Sequence, residues 1–193
     1  MEDFELAEVR FIPCRQPAHR TQPLASSAQR RILLQLAIAE QPGFILDERE
    51  LLRDGPSYMV DSLDSLRTEF GKEIPLCLLL GSDAFTGLPQ WHRWQELPEL
   101  AHLVVMRRPG STEFNSKTAD ITFGWQRLRS AAGLSQQPAG GILYWSCTQL
   151  DISATRIREL LAAGKSPRYL VPETVLSYIC DHNLYGSPPS NIL

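Results

Sequence analysis

Three stretches of the 193-residue chain bring together side chains that could do chemistry. In the first, the apolar run Leu76-Cys77-Leu78-Leu79-Leu80 closes in Gly81-Ser82-Asp83, and Pro89-Gln90-Trp91-His92-Arg93-Trp94 follows within a turn or two. A short uncharged run of this kind predicts a strand buried on both faces, as in a parallel sheet. Open α/β sheets bind ligands outside the carboxyl ends of their strands, so Asp83 would stand at the mouth of a crevice, placed to take ribose hydroxyls. Trp91 and Trp94, with His92 between them, could wall off a flat ring. A plainer account is equally open: Asp83 caps a short helix and the tryptophans are half-buried packing.

The second stretch is the loop Cys14-Arg15-Gln16-Pro17-Ala18-His19-Arg20, just after Glu8-Val9-Arg10-Phe11-Ile12-Pro13, which reads as a strand stopped by Pro13. Two arginines and a histidine at a strand end suit phosphate, and they equally suit a solvated basic loop. The third is Asp151-Ile152-Ser153-Ala154-Thr155-Arg156-Ile157-Arg158. Ser153 reads as the N-cap of a helix whose packed stripe is Ile157, Leu160 and Leu161. Thr155 and Arg158, three residues apart, share a side of its first turns. Free N–H groups and the positive dipole end, joined by Ser, Thr and Arg, make an anion site; an ordinary capped helix with a surface arginine is the alternative.

The elements that must position these residues alternate strand and helix. Ser26 or Ser27 starts a helix whose face is Leu33, Leu36, Ala37 and Glu40, ended by Pro42-Gly43. Phe44-Ile45-Leu46 is a short strand, and Asp47-Glu48-Arg49-Glu50 is expected to be a solvated, self-paired charge run. Pro56-Ser57 opens a helix carrying Met59, Leu63, Leu66 and Phe70 on one face, stopped by Gly71. His102–Met106 is a further strand of the buried type, ending in Arg107-Arg108-Pro109-Gly110. Residues 111–141 read as a polar excursion with a helix near 125–132. Ile142–Trp145 is another strand, and a last helix spans 173–182. The alternation implies parallel βαβ units in a doubly wound sheet. One domain over residues 1–185 is expected, with a disordered tail at 186–193.

Composition narrows the class. With 43% hydrophobic and 21% charged residues the chain is an ordinary globular protein. A formal net charge of −3 argues against nucleic acid as a partner. No apolar run reaches the roughly 18 residues of a membrane span, and the acidic start Met1-Glu2-Asp3-Phe4-Glu5 matches no targeting peptide. Cys14, Cys77, Cys147 and Cys180 form no C-x-x-C pair, which disfavours structural zinc and suits a reducing, cytoplasmic setting.

Taken together, the Pro13…Pro17-Ala18-His19-Arg20 loop, Asp47-Glu48-Arg49-Glu50-Leu51, Pro56-Ser57-Tyr58, Gly81-Ser82-Asp83, Pro89-Gln90-Trp91-His92, Arg107-Arg108-Pro109-Gly110 and Ile152-Ser153-Ala154-Thr155-Arg156-Ile157-Arg158 resemble the bacterial nicotinate-nucleotide adenylyltransferases. The resemblance spans residues 6–185 and implies a Rossmann-like, doubly wound fold of the nucleotidyltransferase type. It also implies adenylyl transfer from ATP to nicotinate mononucleotide, giving deamido-NAD and pyrophosphate. His19 would lie by the mononucleotide phosphate and Asp83 would hold ribose hydroxyls. Trp91 would stack on the pyridine ring, with the His92 backbone N–H on its carboxylate. Tyr58 and Arg108 would line the same crevice, and Ser153, Thr155 and Arg158 would bind ATP phosphates. His19 and Arg158 are the residues expected to act on the reacting phosphates. Mg²⁺ would arrive bound through ATP, and no protein metal ligands are expected. Oligomeric state is not legible. Non-catalytic nucleotide binding, or transfer to another phosphate, remain rival readings.

The sequence departs from the family pattern in two motifs and one absence. Pro-Ser-Tyr-Thr becomes Pro56-Ser57-Tyr58-Met59, which loses a hydroxyl near the nicotinate carboxylate, and Pro-Pro-His becomes Pro17-Ala18-His19. The family's opening strand and its G-G-T-F-D-P-x-H-x-G-H loop do not occur in these residues. The expectation is a fold lacking its first βα unit and a chain impaired in turnover.

Overall fold

The computed structural model describes residues 2–17, 23–107, 124–146, 148, 150 and 152–186. The chain forms two compact units. One comprises Met1–Glu5 and Tyr58–Gln149, the other Leu6–Ser57 and Leu150–Leu193. No helix among the described residues is long and apolar enough to cross a membrane.

The Tyr58–Gln149 unit is built on four parallel strands. These are β3 (Cys77–Gly81), β4 (His102–Arg107), β5 (Gln126–Arg127) and β6 (Gly141–Ser146), in the order β3-β4-β6-β5. Register runs Cys77↔His102 to Gly81↔Met106 and Leu103↔Ile142 to Arg107↔Ser146. The strand buried on both faces is β4, where Leu103, Val104 and Val105 are all fully buried, because it lies between β3 and β6. In β3, expected to be that strand, only Leu80 is buried and its neighbours are half-buried, since β3 is an edge of this sheet.

Helix α3 (Met59–Phe70) packs through Val60, Leu63 and Leu66. It starts at Met59 with Tyr58 in the capping position, rather than at Pro56-Ser57. Gly71, at φ 84°, ends it in a conformation that side chains rarely adopt. The guanidinium of Arg67 then ties three backbone segments together, donating to the carbonyls of Leu100 at 2.8 Å, Ile74 at 2.6 Å and Pro138 at 2.8 Å.

The helix expected near 125–132 is instead β5 followed by a 3₁₀ turn at Ala131–Ser135. Trp125 is buried and its indole N–H donates to the Ala101 carbonyl at 3.1 Å, and Gln126 N–H finds the Gly140 carbonyl at 2.8 Å. Strand pairing along β6 thus takes the backbone groups that a helix would have used internally.

His102, fully buried at the start of β4, is the polar pin of this unit. Its Nδ1 accepts the Gly141 N–H at 2.9 Å, so Nε2 carries the proton and donates to the Gln137 carbonyl at 2.7 Å. Burial, the largest influence, lowers the imidazole pKa below its ordinary value. A Cβ on Gly141 would lie 2.7 Å from that Nδ1 and 2.6 Å from Leu128 Cδ1, so only glycine fits there.

The other unit has the parallel pair β1 (Val9–Phe11) and β2 (Phe44–Leu46), with helices α1 (Ser27–Ile38), α2 (Arg49–Leu52), α6 (Ala154–Ala162) and α7 (Glu173–Asp181). Helices α4 (Ser82–Thr86) and α5 (Leu97–Leu100) belong to the four-stranded unit. The parallel strands therefore lie in a two-stranded and a four-stranded sheet. Ser26 is the N-cap of α1 in a reciprocal capping box: its hydroxyl accepts from Gln29 N–H, and its own N–H donates to the Gln29 side chain. Leu33 and Leu36 pack on the core of Ile157, Leu161, Val175, Leu176, Ile179, Cys180 and Leu184. Ala37 and Glu40, expected on that face, are exposed, and Ile38 is buried in their place.

The acidic run after β2 is not solvated. Asp47 and Glu50 are buried, at 7% and 4% exposure. Asp47 meets Arg49 Nη2 at 2.6 Å and, from β1, Arg10 Nη1 at 3.1 Å. Burial pushes the Asp47 carboxyl up, but hydrogen bonds from Arg49 and Arg10 outweigh it and hold the pKa below the usual value.

Candidate functional site

In the four-stranded unit, β3 passes directly into α4 (Ser82–Thr86), with Gly81 as its N-cap. Ser82 and Phe85 are buried and anchor this single turn, and Phe85 meets the Tyr144 ring edge-on at 6.0 Å. Asp83 is not the cap. It lies in the first turn of α4 and is exposed, where the helix dipole favours a carboxylate.

A 3₁₀ turn at Leu88–Gln90, rooted by fully buried Leu88, delivers half-buried Trp91, whose N–H donates back to the Leu88 carbonyl at 2.9 Å. Arg93 then adopts φ 52°, unusual for a side-chain-bearing residue. Its guanidinium pairs with Glu96 at 2.5 Å and with Asp61 and Asp64 of α3 at 3.4 Å and 3.8 Å. The Tyr58 ring, at the head of α3, lies 4.2 Å from the His92 ring at an interplanar angle of 32°. The Trp91–Trp94 turn is thus held on α3 by one ion-pair cluster and one ring contact. His92 is exposed, and among the described residues no oxygen accepts its backbone N–H.

In the other unit, Ser153 is the N-cap of α6 as expected, its hydroxyl accepting from Arg156 N–H at 3.2 Å. Thr155 and Arg158 do share one side, with Arg158 Nη2 donating to Thr155 Oγ1 at 3.3 Å. Thr155 is exposed and Arg158 half-buried, and among the described residues Arg158 has no carboxylate partner.

The loop after β1 is stitched to the segment preceding Tyr58. Arg15 N–H donates to Ser57 Oγ at 3.0 Å, Ser57 N–H donates to the Gln16 carbonyl at 3.0 Å, and Pro17 bridges Ser57. Arg15, a phosphate candidate by sequence, is committed to the Arg53 carbonyl at 3.0 Å and Asp54 at 2.6 Å. His19 and Arg108 lie outside the described residues. A cavity of ≈ 570 Å³ lined by Arg127, Leu128, Arg129, Leu143 and Tyr144 contains none of the predicted site residues. Sequence reasoning missed Arg93 and the Arg15–Ser57 stitching. The only sequence signal for Arg93 was its place between the two tryptophans.

Residues 1–160 match the cytidylyltransferase-like family model. A probable nicotinate-nucleotide adenylyltransferase of Methylococcus capsulatus is 46% identical over 186 residues, covering 96% of this chain and 88% of its own length. One from Aeromonas salmonicida is 47% identical over 181 residues, covering 93% of this chain and 84% of its own. The chain belongs to the nicotinate-nucleotide adenylyltransferase family. Its fold is the α/β nucleotidyltransferase fold of that family. A solved nicotinic acid mononucleotide adenylyltransferase of Plasmodium falciparum, complexed with NaAD, superposes with a TM-score of 0.66 at 14% identity, covering 95% of this chain and 84% of that one. The same enzyme complexed with APC gives a TM-score of 0.65 at 15% identity, with the same coverage.

Proposed function

We propose that the chain transfers the adenylyl group of ATP to nicotinate mononucleotide. The observation that carries the mononucleotide half is half-buried Trp91 beside the unclaimed, exposed N–H of His92. A pyridine ring on the indole face would bring its carboxylate to that N–H, a charge-assisted bond in a site that Tyr58 and Arg93 keep rigid. Asp83 takes the ribose hydroxyls, and His19 and Arg108 take the mononucleotide's phosphate end. Ser153, Thr155 and Arg158 bind the phosphates of ATP at the start of α6, where helix N–H groups, a hydroxyl and a guanidinium converge.

A phosphate oxygen of nicotinate mononucleotide forms a bond to the α-phosphorus of ATP, and the bond from that phosphorus to the β-phosphate oxygen breaks, releasing pyrophosphate. The attacking phosphate is already anionic, so no strong base is needed. The protein holds the two groups in line, and Arg158 and His19 neutralise charge on them. The donors at α6 are N–H, hydroxyl and guanidinium groups, which suit phosphate oxygens and not a cation. Mg²⁺ would therefore arrive bound to ATP and would supply charge neutralisation on its phosphates. The free thiols of Cys14 and Cys77 suit a cytoplasmic setting.

The test is product detection by chromatography. ATP with nicotinate mononucleotide should give deamido-NAD and pyrophosphate in equal amounts. Adenylylation of phosphopantetheine in place of the pyridine nucleotide would overturn the reading. Half-buried Met59, where the family pattern has threonine, gives a reason to run nicotinamide mononucleotide alongside. The amide should be the poorer substrate, because it brings no anion to the His92 N–H.

A further inference from the structure

Of the arginines in the four-stranded unit, Arg67 is spent on backbone carbonyls and Arg93 on Glu96, Asp61 and Asp64. Arg127 and Arg129 are not. Both are exposed, and among the described residues neither guanidinium pairs with a carboxylate or donates a hydrogen bond.

They stand on the outer strand of the sheet. There β5 pairs with β6, Arg127 opposite Ile142, and the Leu128 N–H donates to the Ile142 carbonyl at 2.8 Å, so the pairing runs on through Leu128. Alternation along extended chain sets Arg127 and Arg129, two residues apart, on one side. Leu128 between them is fixed by the close approach of two glycines. A Cβ on Gly133 would lie 3.2 Å from Leu128 Cδ2, and one on Gly141 2.6 Å from Leu128 Cδ1.

Both arginines line the cavity of about 570 Å³, together with Leu128, Leu143 and Tyr144. Its walls are anchored. Leu143 is buried, and Leu128 packs on the core it forms with Val104 and Leu134. The Tyr144 ring meets fully buried Phe85 edge-on. The Arg127 guanidinium carbon stands over that ring, 5.5 Å from its centre, an attraction that holds the cation at the cavity while leaving its N–H groups unspent. The volume is that of a small-molecule site. Two guanidiniums on one cavity, with no described counter-ion, repel each other, and an anion between them removes the repulsion. Guanidinium forks match pairs of phosphate oxygens, and leucine and tyrosine surface favours an apolar or aromatic body over water.

We propose that this cavity is a second ligand site, for a small phosphate monoester with an aromatic or apolar body. Arg127 and Arg129 take the phosphate, and Leu128, Leu143 and Tyr144 take the body. No residue assigned to nicotinate mononucleotide or ATP lines the cavity, so the inference goes beyond the proposed reaction and does not depend on it.

The experiment is an NMR titration of the full chain with phenyl phosphate and, separately, with inorganic phosphate, for the unmodified protein and for Arg127→Gln, Arg127→Lys, Arg129→Gln and Trp91→Ala. Phenyl phosphate should shift the Tyr144 ring resonances. Each glutamine variant should weaken it about tenfold, the loss of one charge-assisted contact, and leave nicotinate mononucleotide affinity unchanged. Arg127→Lys should recover part of the loss, since an ammonium keeps the charge and lacks the fork. Inorganic phosphate, with no body to bury, should bind several-fold more weakly than phenyl phosphate. Trp91→Ala should leave the Tyr144 shift as it is.

Unmoved Tyr144 resonances would overturn the proposal, and so would unchanged phenyl phosphate affinity in the glutamine variants. Equal binding of the two probes would mark a patch for bare anions and overturn it as well. Loss of the Tyr144 shift in Trp91→Ala would place the probe at the mononucleotide residues, and the second site would fail. If phenyl phosphate behaves as expected and no deamido-NAD forms, only the proposed reaction fails.

Discussion

In the Tyr58–Gln149 unit, Asp83, Trp91 and His92 hang from strands whose centre is closed to water. In the Leu6–Ser57 and Leu150–Leu193 unit, Thr155 and Arg158 ride on a helix packed against other helices, beside two strands with no fully buried residue. The polar pins differ accordingly. The first unit uses a neutral imidazole, His102, joined only to backbone. The second uses a buried carboxylate, Asp47, joined to two arginines. The neutral pin weakens as pH falls below the ordinary histidine value of 6.5, and the charged pin only as pH falls below the ordinary aspartate value of 3.8. The two units are thus stabilised by chemistries that respond to different perturbations.

The largest effect should come from removing the imidazole. His102→Ala strands the Gly141 N–H and the Gln137 carbonyl in the interior and leaves a void, and should cost about 4 kcal/mol in urea unfolding. Asp47→Ala removes the buried carboxylate that Arg10 and Arg49 share and should cost about 3 kcal/mol.

Acid should then separate the units. The folded pKa of His102 lies below the ordinary 6.5, so in that window the unfolded chain binds the proton and the folded chain does not. Its contribution is complete above about 6.5 and declines as pH falls further. The Asp47 contribution is complete above 3.8 and is lost only as pH falls through its lowered value. Hydrogen exchange at a pH between those limits should show β4 and β6 opening more readily than at neutral pH, with β1 and β2 unchanged. His102→Gln should remove that pH dependence.

A smaller effect is expected at Arg93. Arg93→Ala frees the Trp91–Trp94 turn from α3 and should weaken nicotinate mononucleotide by about a few-fold, with polyphosphate binding unaffected. Smallest of all, the Cys77 thiol, pushed up to about 11 by burial, should stay unlabelled by a thiol reagent at neutral pH, so Cys77→Ala should leave the number of rapidly labelled thiols unchanged.

How much was legible in the sequence follows from the same contrast. Local signals read well. Ser153 was a visible cap and Ser26 one of two visible ones, Gly71 a visible stop, and His102–Met106 a visible strand. Long-range pairing did not read. Asp47 looked solvated because its partner Arg10 lies 37 residues away, and Arg15 looked free for phosphate because Asp54 is 39 away. Residues 125–132 looked helical because nothing local says that Trp125 will bury its indole under the Ala101 carbonyl. At the start of α6, the Ser153 cap and the pairing of Thr155 with Arg158 were legible from spacing, since one helix turn brings them together. The posture of Trp91 and His92 was not, since it depends on Arg93 reaching back to α3.

The most direct test of the residue assignments is to titrate Trp91→Ala and Thr155→Val with nicotinate mononucleotide and with tripolyphosphate. Trp91→Ala should lose at least about tenfold in mononucleotide affinity, as expected for a ring deprived of its stacking partner, and keep tripolyphosphate. Thr155→Val should do the reverse. If either variant weakens both ligands alike, Trp91 and Thr155 do not serve separate ligands and the account is wrong.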